Sequence, residues 1–279
     1  MAALEMGHTK PASCPRIRRE REMAMTPKVR IVLAASPACV CVIVATVAWA
    51  RGTLIVHERF TPDKLGASTN LSVTGRFLST TGGPSAPITK FTIYGPAGMT
   101  VDARDAGTCV AAKLRELGPN GCPANSRAGF GGGVGLLELP KETIREAYTL
   151  DFFFASKERG RLALLVYASA VSPVTVELVL VAREVRAPKP YGLGFSVEVP
   201  LISALPGAPY ASVESVFATL GAANVAYYKT VRGKKTLTHL KGIVVPKTCP
   251  RGGFPSEGTI DFADGTNLTV NPTIPCPRK

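Results

Sequence analysis

Apolar and polar residues alternate along many short segments of the chain. In Phe195-Ser196-Val197-Glu198-Val199 every second side chain is apolar, and residues 174–181 follow a similar pattern. This period of two predicts half-buried β-strands, because successive side chains of a strand point to opposite faces. Similar patterns predict further strands at 53–57, 69–78, 88–94, 149–155, 161–168, 213–219 and 240–245. Glycine and proline clusters separate them, so we expect an all-β fold, an antiparallel β-sandwich.

A β-hairpin is predicted near the C-terminus. Residues 259–263 and 266–270 form two arms around Asp264-Gly265, a pair that favours a two-residue type I′ turn. One face of this hairpin would be apolar, with Ile260, Phe262, Leu268 and Val270.

Helical signals are few. Residues 108–118 could form about two turns of helix, with Thr108 as the N-cap and Gly118 at the end. Glu138, Glu142 and Glu146 also share a helical spacing, although Pro140 interrupts it. We expect one short helix near 108–118 and a surface turn of helix at 138–146.

Residues 31–50 are uncharged and follow Lys28 and Arg30. Ala48 and Ala50 stand where a signal peptidase would recognise small residues, so 25–50 is predicted to be a signal peptide. An uncleaved membrane anchor of the same length remains an alternative, and a lipoprotein at Cys39 is disfavoured. Residues 1–24 are interpreted as a gene-model extension or a basic cytoplasmic tail. In either case residues 51–279 would form a domain that is secreted or lies on the outer face of the membrane.

Four cysteines follow the predicted signal: Cys109, Cys122, Cys249 and Cys276. An even number of cysteines in an oxidising compartment indicates disulfides. Of the three possible pairings we favour Cys109–Cys122, which closes a short loop, and Cys249–Cys276, which the predicted hairpin would bring together. No metal site or cofactor is expected, because this part of the chain has no C-x-x-C motif.

Two cysteine-centred segments resemble known sequences. The first runs from Thr108-Cys109 through Cys122-Pro-Ala-Asn-Ser126 to Ala128-Gly-Phe-Gly131, and the second from Thr248-Cys-Pro250 to Cys276-Pro277. Both are similar to uncharacterised secreted proteins of high-GC soil actinobacteria. The resemblance implies a signal peptide followed by a β-rich domain with disulfides, and no assigned activity.

Motifs for catalysis are weak. Gly129–Gly135 lacks the lysine of a phosphate-binding loop and is interpreted as a glycine-rich strand or bulge. There is no G-x-S-x-G, and His57 and His239 are poorly placed as catalytic bases. The pairs Asp102/Asp105 and Asp261/Asp264 keep a carboxylate-dependent hydrolase as an alternative. The exported part has no tryptophan to bind sugars, so we expect no enzyme and no catalytic residue.

Positive charge is concentrated late in the chain. The sequence has 33 basic and 20 acidic residues, and no acidic residue lies between Ser215 and Ser256. The candidate polyanion-binding residues are Lys229, Arg232, Lys234, Lys235, Lys241, Lys247 and Arg251. For an exported protein the expected partner is an anionic cell-wall polymer and not a nucleic acid. We therefore expect a structural or binding module of the cell envelope, or else an anchored subunit of an envelope complex.

Overall fold

The computed structural model describes residues 52–79, 83–139, 141–203, 206–223 and 225–277. All of them belong to the second of two compact units, Val47–Lys279. The predicted leader at 25–50, with Ala48 and Ala50, and the extension at 1–24 lie outside the described residues. Within the described ranges, none of the helices has the length and hydropathy needed to span a membrane.

The all-β prediction is confirmed. The strands are β1 Gly52–Thr61, β2 Ser68–Ser79, β3 Ile88–Pro96, β4 Thr100–Asp102, β5 Arg127–Glu138, β6 Thr143–Phe154, β7 Ala163–Ala170, β8 Val176–Val185, β9 Tyr191–Glu198, β10 Ser212–Leu220, β11 Ala226–Val231, β12 Lys234–His239, β13 Gly242–Val244, β14 Phe254–Pro255, β15 Glu257–Phe262, β16 Asn267–Val270 and β17 Thr273–Ile274. The helices are α1 Ala111–Leu117 and short 3-10 turns at Gly118–Gly121 and Ala124–Ser126.

Most strands belong to one antiparallel sheet of 13 strands. Its order is β16-β15-β3-β9-β8-β7-β6-β5-β10-β2-β13-β4, and β1 also pairs with β2. Strand β1 lies beside β16 and β17, and Leu54 of β1 packs with Ile260 and Phe262 of β15. The sheet therefore curves back on itself. In the predicted sandwich, the apolar faces of two sheets would oppose each other. In the structure, the two opposing apolar faces belong to one continuous sheet.

The two ends of this sheet differ. The strand pairs β5–β6, β7–β8 and β15–β16 are joined at one end, the turn end, where residues 199–203 and 206–211 also lie. Helix α1, the β11–β12 hairpin and both disulfides follow strands that finish at the other end, the capped end. Apolar clusters fill the capped end with the buried side chains Phe60, Leu71, Met99, Phe254, Ile274, Phe154 and Leu240.

Both predicted disulfides are present. Cys109–Cys122 joins the start of α1 to the 3-10 turn that follows it, and Leu114 of α1 packs in the same buried cluster. Cys249–Cys276 joins the segment after β13 to the C-terminal segment. These bonds indicate an oxidising, extracytoplasmic environment for this part of the chain.

The helical turn predicted at 138–146 is wrong. Glu138 ends β5, Glu146 lies in β6, and the two strands pair along their length, from Arg127↔Phe153 to Glu138↔Thr143. The three glutamates therefore lie on two strands and in the turn between them, and their spacing of four does not reflect a helix.

Two local predictions hold only in part. Helix α1 ends at Gly118, whose φ of 62° suits glycine, as expected, but its N-cap is Val110 and not Thr108. The C-terminal hairpin forms with the predicted apolar face, but Phe262 and Thr266 enclose a three-residue loop in which only Gly265 has positive φ. The two-residue turn with positive φ at both positions occurs instead at Arg232-Gly233, between β11 and β12.

Candidate ligand cavity

The curved sheet encloses a cavity of about 440 Å³ that is partly open to solvent. Its lining extends from Met99 at the capped end to Leu201 and Ile202 near the turn end. Folded cores are normally packed to a density close to that of organic crystals, with few voids larger than a water molecule. A cavity of this size is therefore a feature of the fold and not a packing defect.

The period of two in each strand explains the composition of the lining. In β6 the residues at even positions from Glu146 to Phe154 line the cavity, whereas Phe153 faces outward beneath α1. Strand β8 contributes Leu178 and Leu180 in the same manner. Many of these inward side chains are only half-buried because they border the cavity. The alternation that identified the strands thus produces an apolar interior surface.

A row of glycines brings two strands of the wall close together. At Gly129, Gly131 and Gly133 of β5, an added Cβ would collide with carbonyl oxygens of β10. The side chain of Tyr148 on β6 covers Gly133 and donates a hydrogen bond to the Ser215 carbonyl oxygen at 3.0 Å. The interpretation of this segment as a glycine-rich strand with close backbone packing is confirmed.

Two carboxyl groups line the cavity. Glu58 of β1 accepts a hydrogen bond from the hydroxyl of Ser256, and burial raises the pKa of Glu58 above its ordinary value. Glu146 is 5% exposed, and it accepts a hydrogen bond from the backbone N–H of Val174 at 3.2 Å. No lysine, arginine or histidine is among the residues of the lining, all of which lie in the described ranges.

Two hydroxyl groups of the lining differ in their partners. The phenol of Tyr148 is bonded to Ser215, and burial raises its pKa well above the ordinary value of 10, so the group stays neutral. The hydroxyl of Ser212 is also buried. Within the described part of the chain this hydroxyl has no hydrogen-bond partner. The register partner of Ser212 is Leu136, whereas Val213 pairs with the inward Gly135, so the Ser212 side chain lies on the opposite face of β10 from Val213.

The structure separates the seven predicted polyanion-binding residues into groups. Lys229 is paired with Asp105 at 2.8 Å, and Lys241 lies 4.0 Å from Asp102. Arg232, Lys234 and Lys235 are brought together at the tip of the β11–β12 hairpin, where all three are exposed. The remaining two, Lys247 and Arg251, lie in the connection between β13 and β14.

The β11–β12 hairpin is held by one of its faces. Tyr227 donates a hydrogen bond to the Asp105 carbonyl oxygen at 2.8 Å, and Lys229 on the same face is bonded to the Asp105 carboxylate. On the opposite face Tyr228 and Leu237 are cross-strand partners that are 71% and 51% exposed.

The candidate hydrolase carboxylates are engaged by neighbouring groups. Asp102 forms an ion pair with Arg104 at 2.7 Å, and the hydrogen bond from Arg104 lowers the pKa of Asp102 to about 2. Asp105 is paired with Lys229. Asp264 accepts hydrogen bonds from Thr266 within its turn. Among the described residues, no three His, Cys, Asp or Glu side chains are grouped to hold a metal ion.

The sequence did not point to Glu146 or Ser212. Glu146 was hidden in a segment with helical spacing, and Ser212 follows a long uncharged connection, 199–211. The available signal for Glu146 was the alternation along β6, since Glu146, Tyr148 and Leu150 are every second residue and all line the cavity.

No protein-family model matches the chain, and neither a curated protein nor a solved structure shows significant similarity to it.

Proposed function

We propose that this chain is an extracytoplasmic binding protein that holds an apolar molecule inside its curved sheet. The observation that carries the proposal is the cavity of about 440 Å³ between strands whose inward side chains are almost all aliphatic or aromatic. Binding pockets for small molecules commonly measure about 300–1,000 Å³ and are mostly apolar with a few polar groups. The ligand class is a molecule with a long or bulky hydrocarbon part.

Burial of hydrocarbon supplies the free energy of binding. Each Å² of apolar surface removed from water contributes roughly 25 cal/mol, and both the ligand and the half-buried wall residues lose such surface. Leu150, Ala168 and Leu178 are register partners on β6, β7 and β8, and all three line the cavity. A hydrocarbon chain lying against them would contact three adjacent strands.

The two disulfides support an extracytoplasmic location for this function, since such bonds persist in oxidising compartments. A binding role is also favoured over a hydrolase. Asp102 and Asp105, the carboxylates that sequence reasoning considered for catalysis, are held in exposed ion pairs with Arg104 and Lys229.

Binding of the neutral fluorescent probe N-phenyl-naphthylamine tests the proposal. We expect saturable binding with enhanced fluorescence, and a loss of at least about tenfold in affinity for Ala168→Phe, since the ring would occupy the cavity. Ala147→Phe is the matched control, because Ala147 is exposed on the outer face of the neighbouring strand. Absence of binding to the wild type, or equal binding by Ala168→Phe in its folded form, would contradict the proposal.

A second candidate function rests on the tip of the β11–β12 hairpin. Arg232, Lys234 and Lys235 are exposed there, and among the described residues none of them belongs to an ion pair. Such a group of cations suits an anionic polymer of the cell wall, which would retain the protein near the cell surface. This function is compatible with ligand binding in the cavity.

A further inference from the structure

A hydrogen-bonded polar pair, Glu58 and Ser256, lines the cavity toward the capped end. Leu54, Val56 and Glu58 are alternate residues of β1 that line the cavity, whereas Phe60, the next residue in this row, is buried in the apolar cluster of the capped end. Ser256, just before β15, also lines the cavity, and its hydroxyl donates a hydrogen bond to the Glu58 carboxylate. The pair therefore stands where the cavity meets the packed cluster.

The two carboxylate oxygens of Glu58 differ in their surroundings. Within the described part of the chain, Glu58 accepts its hydrogen bond from Ser256 through one oxygen and belongs to no ion pair. The other oxygen has no such partner and remains accessible, in contrast to the buried hydroxyl of Ser212. The backbone N–H of Ser256 is bonded to the Pro272 carbonyl oxygen at 3.1 Å, which fixes the serine. Glu58 is thus held through one oxygen and offers the other to a ligand.

A carboxylate at this position is costly for the folded protein. Burial disfavours the charged form and raises the pKa of Glu58, and the hydrogen bond from Ser256 offsets only part of this effect. A cation beside the second oxygen would provide the charge partner that the protein itself does not supply. Because folding has already removed much of Glu58 from water, binding would have to desolvate mainly the cation.

The rest of the lining favours a cation over other polar groups. Its two carboxyl groups are those of Glu58 and Glu146, and it contains no basic residue. A ligand carboxylate would find no cation and would be repelled by Glu58. A hydroxyl group could donate to Glu58 but would leave the charge uncompensated. A primary ammonium group both donates hydrogen bonds and carries the opposite charge.

We infer that the cavity binds amphiphiles whose polar end is an amine held by Glu58, and that it discriminates against those ending in a hydroxyl group or a carboxylate. This inference rests on the proposed function, because the hydrocarbon part of the ligand occupies the cavity. The amine lies at the pair formed by Glu58 and Ser256. The hydrocarbon extends from there along Val56 and Leu54 toward the turn end.

Displacement of N-phenyl-naphthylamine at neutral pH by dodecylamine, dodecanol and dodecanoate tests the inference. These three amphiphiles have the same chain length, so their differences report on the polar end. We expect dodecylamine, which is protonated at this pH, to bind at least about tenfold more tightly than dodecanol, a difference of about 1.4 kcal/mol. Dodecanoate is expected to bind most weakly. The chain has 33 basic and 20 acidic residues, so non-specific attraction would favour dodecanoate instead.

Glu58→Gln tests the contact with the amine. The variant keeps an acceptor for Ser256 and removes the charge, so dodecylamine should bind within about twofold of dodecanol, while the fluorescent probe binds as before. Glu58→Gln is also expected to be more stable than the wild type at neutral pH, so a lost preference would not reflect unfolding. Asp261→Asn is the matched control, because it removes the same charge from an exposed position on β15 and should keep the full preference.

The outcomes distinguish two kinds of failure. Equal affinity for dodecylamine and dodecanol, or an amine preference that persists in Glu58→Gln, would overturn the amine site while binding of the fluorescent probe still supported the cavity. If neither the fluorescent probe nor any of the amphiphiles binds the wild type, the proposed function and this inference both fail. A preference for dodecylamine that Glu58→Gln abolishes and Asp261→Asn retains supports the inference.

Discussion

The side chain of Tyr148 occupies the space that a side chain at Gly133 would need. The Cζ atom of Tyr148 lies 2.7 Å from the position of a Cβ at Gly133, and the phenol continues to the Ser215 carbonyl oxygen of the next strand. One tyrosine thus crosses β5 and ties β6 to β10. The relationship requires glycine at 133, and it holds the wall of the cavity together at the point where β5 has no side chains.

Gly133→Ala is expected to destabilise the protein by about 1–3 kcal/mol, the usual cost of inserting atoms into a closely packed site. Gly135→Ala is the matched control, because its Cβ would meet neighbouring atoms only at 3.5 Å or more. Its free energy of unfolding should stay within about 0.5 kcal/mol of the wild type. Urea denaturation of both variants measures the difference, and similar midpoints would show that the Ser215 carbonyl and Tyr148 both move aside without penalty.

Glu58→Gln is expected to stabilise the protein at neutral pH. Burial raises the pKa of Glu58, so the folded state holds its proton more strongly than the unfolded state does. Stability from this group is therefore complete below the ordinary value of 4.5 and is lost as pH rises through the folded pKa. The glutamine side chain can still accept the hydrogen bond from Ser256 and carries no charge to desolvate.

Unfolding in urea at several pH values checks this expectation. The advantage of Glu58→Gln over the wild type should be largest at neutral pH and should vanish once pH falls below the ordinary glutamate value. Asp261→Asn is a suitable control, because Asp261 is exposed on β15. An advantage for Glu58→Gln that is constant across the pH range would mean that ionisation of Glu58 is not its cause.

Local periodicity identified most of the large sheet but not the space inside it. Residues 195–199 and 174–181 alternate as strands should, and the structure has β9 and β8 near those positions. Strand β5 gave no such signal because its inward residues at 129, 131 and 133 are glycines. The β11–β12 hairpin was missed as well, since exposed strands of Lys, Thr and Tyr have no apolar face to detect.

The cavity was not predictable for a different reason. An inward apolar residue such as Leu178 follows the same alternation whether it meets a neighbour or borders a cavity. Which strands face each other depends on the strand order, and the contact between β1 and β15 joins residues about two hundred positions apart. The unpaired hydroxyl of Ser212 depends on its three-dimensional surroundings, which no local sequence pattern encodes. The disulfides, in contrast, followed from cysteine parity and hairpin geometry.

Removal of each disulfide should destabilise the protein, slightly more for the bond that closes the longer loop. In the chain-entropy relation, the sequence separations of 13 for Cys109–Cys122 and 27 for Cys249–Cys276 correspond to about 3 and about 3.5 kcal/mol. Replacing both cysteines of a pair by alanine, one pair at a time, and comparing urea midpoints measures these losses. An unchanged midpoint for either double variant would contradict a stabilising role for that bond.

Charge reversal at the hairpin tip tests retention on anionic polymers. The double variant Lys234→Glu with Lys235→Glu is expected to elute from purified cell walls rich in phosphate polymers at a lower salt concentration than the wild type. The reason is that these two exposed cations lie together beside Arg232 at the hairpin tip. The control Lys113→Glu with Arg115→Glu changes net charge equally on the exposed face of α1.

If retention depends only on net charge, both double variants will elute at the same salt concentration, and the hairpin will have no special role. If the hairpin is the contact, the control will elute close to the wild type. Binding of N-phenyl-naphthylamine should be the same in both double variants, since neither pair lines the cavity.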